Sequence, residues 1–190
     1  MNKIYVIILV LQLSSWDSLF SQSYISLKEA KHHHPDSIIY LRLSRKKLQS
    51  FPSEIWKYRK LKGLDLSKNK LTSISDSICL LTDLEELNLS KNKLTDFPLQ
   101  LLACNRLLKL NLSSNYIRVI PNDVSKCYEL REFDLYNNPI EDIGSGLSML
   151  KNLVELDLRG LMMNKNKQKE ILEKLPDVHV RFDAPCNCID

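Results

Sequence analysis

At 190 residues the chain has room for one domain, or for one domain and a targeting segment. Its 44% hydrophobic and 26% charged residues suit a core-forming protein and exclude bulk disorder. A net charge of +4, from 27 basic and 23 acidic residues, is too small by itself to imply nucleic acid, and only four glycines leave little room for a phosphate-cradling loop.

The first element in chain order is an address. Met1-Asn2-Lys3 is a short positive start, Ile4 to Leu13 is apolar apart from Gln12, and Ser14 to Ser23 is polar and rich in small residues. That three-part order predicts a signal peptide over 1–21, against the alternative of a buried N-terminal helix or strand. The apolar run is about half of the ~20 residues that a spanning helix needs. Cleavage after Ser21 or Ser23 fits, and the mature chain then carries no transmembrane segment. The expected location is periplasmic, secreted or at the cell surface. Ser26-Leu27-Lys28-Glu29 reads as a capping box, predicting a short cap helix within 22–37 that Pro35 ends. His32-His33-His34 fall at the end of that helix. Three consecutive histidines on a helix point in three directions, so they are read as solvated; no metal and no cofactor is expected.

From Ile38 onward the sequence repeats. Leu61, Leu64, Leu66, Asn69, Leu71 and Ile74 recur 23 residues on as Leu84, Leu87, Leu89, Asn92, Leu94 and Phe97. They recur again as Leu107, Leu110, Leu112, Asn115, Ile117 and Ile120, then as Leu130, Phe133, Leu135, Asn138, Ile140 and Ile143. Going backward, the unit is Ile38, Leu41, Leu43, Lys46, Leu48 and Phe51. All 25 core positions of these five units are apolar, against a chance expectation on the order of 10⁻⁹. A sixth unit starts with Leu153, Leu156 and Leu158 and then drifts. Within each unit x-Leu-x-Leu-x alternates with period two, predicting a strand with one buried face. Asn69, Asn92, Asn115 and Asn138 stand where the chain leaves the strand, and a stacked ladder of amides there can bond turn backbone.

This pattern resembles the leucine-rich repeat family in its 23-residue form, over Ile38 to about Leu158. Pro52, Pro98 and Pro121 match the family's proline, and Ser75 and Gly144 depart from it. The fold class expected is an α/β leucine-rich repeat solenoid. It has a curved, parallel concave sheet of about seven strands, short helical, 3-10 and loop segments on the convex side, and helical caps at both ends. The units start at 38, 61, 84, 107, 130 and 153 and fill 38–160. Beyond them Asn166 to Lys174 predicts a helix closed by Pro176. Val178 to Phe182 predicts an edge strand with Val178 and Val180 inward, in a register one residue short of 23. Helix and strand make a C-terminal cap over 161–183, leaving 184–190 as a loosely held tail.

Five cysteines are present. Cys104 and Cys127 share a core column and are read as free buried thiols, with Cys79 on the return side. Cys186 and Cys188 in the tail could close a loop or bind metal, but two ligands do not make a site. No G-x-S-x-G, H-E-x-x-H or P-loop occurs, so the chain is not expected to be an enzyme.

The candidate site is the concave face. Its outward positions are Tyr40 and Arg42; Asp65, beside Gly63; Glu86 and Asn88; Lys109 and Asn111; Glu132, Asp134 and Tyr136; and Glu155, Asp157 and Arg159. They hold no leucine and look free to vary. At the strand exits Arg45, Lys47, Lys68, Lys70, Lys91 and Lys93 form a basic ridge on the first three units, which Ser114, Tyr116, Asn137, Pro139, Gly160 and Met162 replace in later ones. The face is expected to be basic at its start and acidic at its end. Family resemblance implies an exported, non-catalytic module that binds a protein through this face. The alternative is an envelope component whose ridge holds anionic polysaccharide or lipid headgroups, or else a lysine face kept for solubility. Tyr40, Tyr116 and Tyr136 are too scattered for base stacking, so no nucleic acid is expected. A monomer is expected, with pairing through the Val178 edge open.

Overall fold

A computed structural model describes residues 24–186. The expected signal peptide and Cys188 lie outside the described residues. Each repeat contributes one three-residue strand: β2 (Tyr40–Arg42), β3 (Gly63–Asp65), β4 (Glu86–Asn88), β5 (Lys109–Asn111), β7 (Glu132–Asp134) and β9 (Glu155–Asp157). These strands pair in parallel and in the 23-residue register, so that Leu41, Leu64, Leu87, Leu110, Phe133 and Leu156 stand side by side. Period-two alternation sends these residues and Leu43, Leu66, Leu89, Leu112, Leu135 and Leu158 into one continuous core. A repeat has no other repeat's leucines within its own 23 residues. Burial is therefore achieved only against the neighbours on either side.

The chain returns through single 3-10 turns at Ser53–Lys57, Asp76–Leu80, Leu99–Ala103, Asn122–Lys126 and Ser145–Met149. Pro52, Pro98 and Pro121 sit immediately before three of them, where a fixed φ near −70° begins a tight turn. Each turn buries one apolar residue: Ile55, Ile78, Leu101, Val124 and Leu147. A second, two-stranded parallel sheet joins β6 (Val119–Ile120) to β8 (Asp142–Ile143) on the return path.

The main sheet has eight strands among the described residues, one more than expected from the repeats and the C-terminal edge. The additional strand, β1 (Ile25–Ser26), adds to the Leu41–Arg42 edge of β2. Two residues carry no alternation, so this strand leaves no pattern to read. A one-turn helix, Leu27–Ala30, follows at once. Its capping box is present: Ser26 N–H donates to Glu29 Oε2 at 2.7 Å, and Glu29 N–H donates to Ser26 Oγ at 3.3 Å. The helix stops at Ala30, short of Pro35, which instead opens a separate 3-10 turn over Pro35–Ser37. His32, His33 and His34 therefore lie in the connection between the two, not on the helix. Among the described residues no group of three or more His, Cys, Asp or Glu is placed to hold a metal ion.

At the other end a helix spans Lys165–Lys174, with Asn164 Oδ1 accepting from Lys167 N–H at 2.8 Å. Strand β10 (His179–Arg181) then pairs with β9, setting Val180 beside Leu156. That register is one residue longer than 23, where one shorter was expected. The two differ by two residues, one full pleat period, so the same side chains still face inward: Val178, Val180 and Phe182 pack against the core. Cys186 is disulfide-bonded and its N–H donates to Met163 O at 3.1 Å. Cys79, Cys104 and Cys127 are free. Burial pushes the Cys104 thiol up to about 12 and the Cys127 thiol up to about 11, which keeps both unreactive.

Candidate functional site

The strand exits are built first by the asparagine ladder. Asn92 Nδ2 donates to Leu66 O at 3.0 Å in the preceding repeat and to Leu89 O at 2.9 Å in its own, while its Oδ1 accepts from Leu71 N–H at 3.1 Å. Asn69, Asn115 and Asn138 repeat the arrangement. Asn69 Oδ1 accepts from both Lys46 and Leu48 N–H, so the first repeat, which has Lys46 in the ladder position, is served from the second. Each amide is buried and joins two repeats.

A second ladder lies on the concave side and corrects the reading of that face. Asp65, Asn88, Asn111, Asp134 and Asp157 each accept, through Oδ1, the backbone N–H two residues on, at 2.9–3.1 Å. These side chains close the turn at the end of β3, β4, β5, β7 and β9. Asp65, Asn111 and Asp157 are buried, as are Ser67, Ser90 and Ser113 beside them. The Asp and Asn side chains are engaged by the protein's own backbone. The signal was in the sequence: the column holds only Asp and Asn through five units, whereas a ligand surface mixes its residue types.

Next in the chain the backbone turns left-handed. Lys68, Lys91, Ser114, Asn137 and Gly160 have φ between 54° and 80°, and Arg45 and Lys47 share the conformation in the first repeat. For residues with a Cβ this costs about 1–2 kcal/mol each. Gly160 and Asn137 suit it; lysine has no such advantage.

The remaining outward column, Tyr40, Glu86, Lys109, Glu132 and Glu155, is half-buried. Its charges are mostly matched within the protein. Lys109 pairs with Glu132 at 2.7 Å, and Arg181 with Glu155 at 3.0 Å. Arg159 grips Asp157 at 2.6 Å and lies over the Tyr136 ring, and Asn111 donates to Asp134 at 2.9 Å. Arg42 pairs with Asp65 at 3.4 Å, so the positive charge at the start of the face comes from the ridge. Burial pushes the Asp134 carboxyl up to about 6, with Asp157 adding and the Tyr136 N–H opposing. Burial also raises Glu86, against the pull of Lys109.

Tyr24 was missed. Its ring lies 5.2 Å from that of Tyr40, the Arg42 guanidinium sits 5.4 Å above it, and its hydroxyl donates to Glu86 Oε2 at 3.4 Å. Gly63 makes room for it, because a Cβ there would meet Tyr24 Oη at 2.3 Å. The N-terminal segment therefore covers the first two repeats of the concave face. Standing outside the repeat, Tyr24 has no periodic partner to announce it.

The ridge differs. Arg45, Lys47, Lys70, Lys91 and Lys93 are exposed and Lys68 is half-exposed. Among the described residues no ion pair involves any of them. A shallow pocket on the return side, between Ser145–Met149 and the C-terminal helix, is lined by Ile143, Leu147, Ile171 and Leu175. Among the described residues no helix is long and apolar enough to cross a membrane.

Two family models described as leucine rich repeat match residues 36–94 and 106–127. Among solved structures, the chain is similar to an LRR protein of Leptospira interrogans, at 30% identity and a TM-score of 0.67, over 76% of this chain and 36% of that one. It is also similar to the plant peptide hormone receptor RGFR1 in complex with RGF2, at 23% identity and a TM-score of 0.59, over 76% of this chain and 27% of that one. The chain spans about a third of the Leptospira protein's length and about a quarter of the receptor's. No curated protein matches it.

Proposed function

Because the chain belongs to the leucine-rich repeat family, we propose that it is a non-catalytic module that recognises a protein through its concave face. One observation carries this reading. Glu86, Lys109, Glu132 and Glu155 stand on four consecutive strands in fixed register, outward-facing and only half-buried. Strands stack at ~4.8 Å, so the part of the face beyond the Tyr24 cover, from β4 to β10, runs roughly 20 Å, which suits a short protein segment better than a small-molecule pocket. The Lys109–Glu132 pair holds its charges in place before a partner arrives, which limits the entropy lost on binding. The outer column sets Glu86, Lys109, Glu132 and Glu155 in a fixed order of charge, which favours a partner segment that matches that order. Export to the periplasm or beyond the cell is part of the proposal, and the tripartite order at the N-terminus supports it.

The test is differential capture from envelope extract of the source organism. Wild type is compared with Lys109→Glu/Glu132→Lys, which keeps an ion pair but reverses its sense and leaves both ladders intact. The reading expects a protein retained by wild type and lost from the swap, with the purified partner reproducing the loss in a Kd measurement. A partner profile unchanged by the swap refutes the concave face as the site. Fractionation and N-terminal sequencing test export: a chain beginning near Gln22 in the envelope fraction is expected, and an intact Met1 in the cytosol refutes it.

A further inference from the structure

We propose that the exit ridge of the first three repeats is a second binding site, separate from the concave face, for a linear anionic polysaccharide carrying carboxylate or sulfate groups. The ridge has two rows, Arg45, Lys68 and Lys91 in one and Lys47, Lys70 and Lys93 in the other, each advancing one repeat at a time. Backbone bonds fix the spacing. Arg45, Lys68 and Lys91 N–H donate to Ser67, Ser90 and Ser113 O at 2.8–3.1 Å, and Lys70 and Lys93 N–H donate to Leu48 and Leu71 O at 2.8 Å. Lys46, exposed between the rows, adds a seventh cation.

Three observations point to a ligand. First, other cations of the same three repeats find carboxylates: Arg42, Lys57, Lys60, Lys62 and Arg106 pair. The ridge cations do not, and six like charges held side by side repel one another until an anion joins them. Second, four of them, Arg45, Lys47, Lys68 and Lys91, occupy left-handed backbone. Repeats four to six make the same turn with Ser114, Asn137 and Gly160, so the fold does not require lysine there. Lysine is placed against the backbone's preference, which solubility alone does not explain, since the same charge fits on any exposed loop. Third, the composition selects the class of ligand. The two rows are five lysines and one arginine, with no aromatic and no apolar side chain. Protein interfaces are depleted in lysine and anchored by Tyr, Trp and Arg. Single-stranded nucleic acid requires stacking platforms, and surfaces that lie on membranes insert apolar residues. Lysine is a hydrated point charge that accepts an anion from any direction, which suits a flexible polymer lying along the rows. At the exit positions the first exposed aromatic is Tyr116, where the cations stop.

The test measures binding of the full chain to alginate and to dextran sulfate, which separates carboxylate from sulfate. Neutral dextran, poly-L-glutamate, a short DNA duplex and phosphatidylglycerol vesicles are run beside them. Binding to one or both anionic polysaccharides is expected at low salt, weakening about a hundredfold or more between ~50 and ~200 mM salt. Lys68→Glu/Lys70→Glu/Lys91→Glu is expected to weaken it at least about tenfold. Lys31→Glu/Lys151→Glu/Lys165→Glu makes the same change in net charge at exposed sites off the ridge and is expected to leave affinity within about twofold. Lys68→Asn/Lys91→Asn is expected to raise the melting temperature while weakening binding, so that loss of binding cannot be loss of folding. The proposal is overturned if neither polysaccharide binds, if both triple variants weaken binding equally, or if poly-L-glutamate, duplex or vesicles bind as tightly as the polysaccharides. The concave-face swap must leave polysaccharide binding unchanged; a loss there also overturns it, whatever the protein-capture result.

Discussion

The exit turns of repeats two and three and those of repeats four to six share one left-handed backbone position and almost none of their exposed side chains. Lys68 and Lys91 adopt φ of 56° and 55°; Ser114, Asn137 and Gly160 adopt 54°, 55° and 80°. The turn is therefore not set by the residue that occupies it. In repeats two to five it is set from both sides: by the Asp/Asn side chain that accepts the N–H just before it, and by the ladder asparagine just after it, whose Nδ2 binds strand carbonyls. Once those two groups hold the backbone, the left-handed position is released to carry whatever surface chemistry the protein uses, at a modest conformational cost. In the first three repeats that position is cationic, and in the later ones it holds Ser114, Asn137 and Gly160.

The largest effect expected is at the ladder that both halves share. Asn115→Ala removes an acceptor for Leu94 N–H and a donor to Leu89 and Leu112 carbonyls, all buried, and is expected to destabilise by about 2–3 kcal/mol in urea unfolding. Asn122→Ala, exposed on a return turn, is expected to stay within about 0.5 kcal/mol. Equal losses would break the view that these amides hold the turn. Next is the point where the two halves stop being interchangeable. Gly160 needs its missing side chain, since a Cβ there would come within 2.7 Å of the Asn137 backbone nitrogen, and its φ is 80°. Gly160→Ala is expected to cost about 2 kcal/mol, although Lys68 carries a full side chain at the same position. A loss below about 0.5 kcal/mol would mean that the last turn has room like the first.

The smallest effect is a slope. Asp134 sits in the closing column and its carboxyl is pushed from the usual 3.8 up to about 6. The folded state then binds this proton more tightly than the unfolded state, so the contribution is complete below about pH 4 and is lost as pH rises through about 6. Asp134→Asn, which places at 134 the residue type found at Asn88 and Asn111, is expected to remove that decline from a plot of melting temperature against pH. Wild type and variant with parallel curves between pH 4 and 7 would show that Asp134 titrates normally. The comparison is made against wild type because Glu29 and Glu170, lowered by their hydrogen bonds, act in the opposite direction.

The repeat, its strands and its core were legible from the leucines, because each column recurs every 23 residues and each strand alternates with period two. The ladder asparagines were legible for the same reason. Asp65, Asn88, Asn111, Asp134 and Asp157 were misread as open surface: polar residues facing outward on a strand look alike whether they bind a partner or their own backbone. The ridge was visible as charge, but the left-handed turns beneath it were not. Tyr24 and Gly63 escaped because their contact joins a segment outside the repeat to a single position within it.

What the amino-acid order determined by itself was the solenoid: identical chemistry at identical spacing admits one stacking, since an offset of one residue would turn every leucine to solvent. What only the tertiary structure decided was which polar groups were already engaged. Hydrogen bonds and ion pairs across repeats join residues 21 to 26 positions apart, and whether a side chain faces a partner or its own neighbour depends on that juxtaposition and not on its identity.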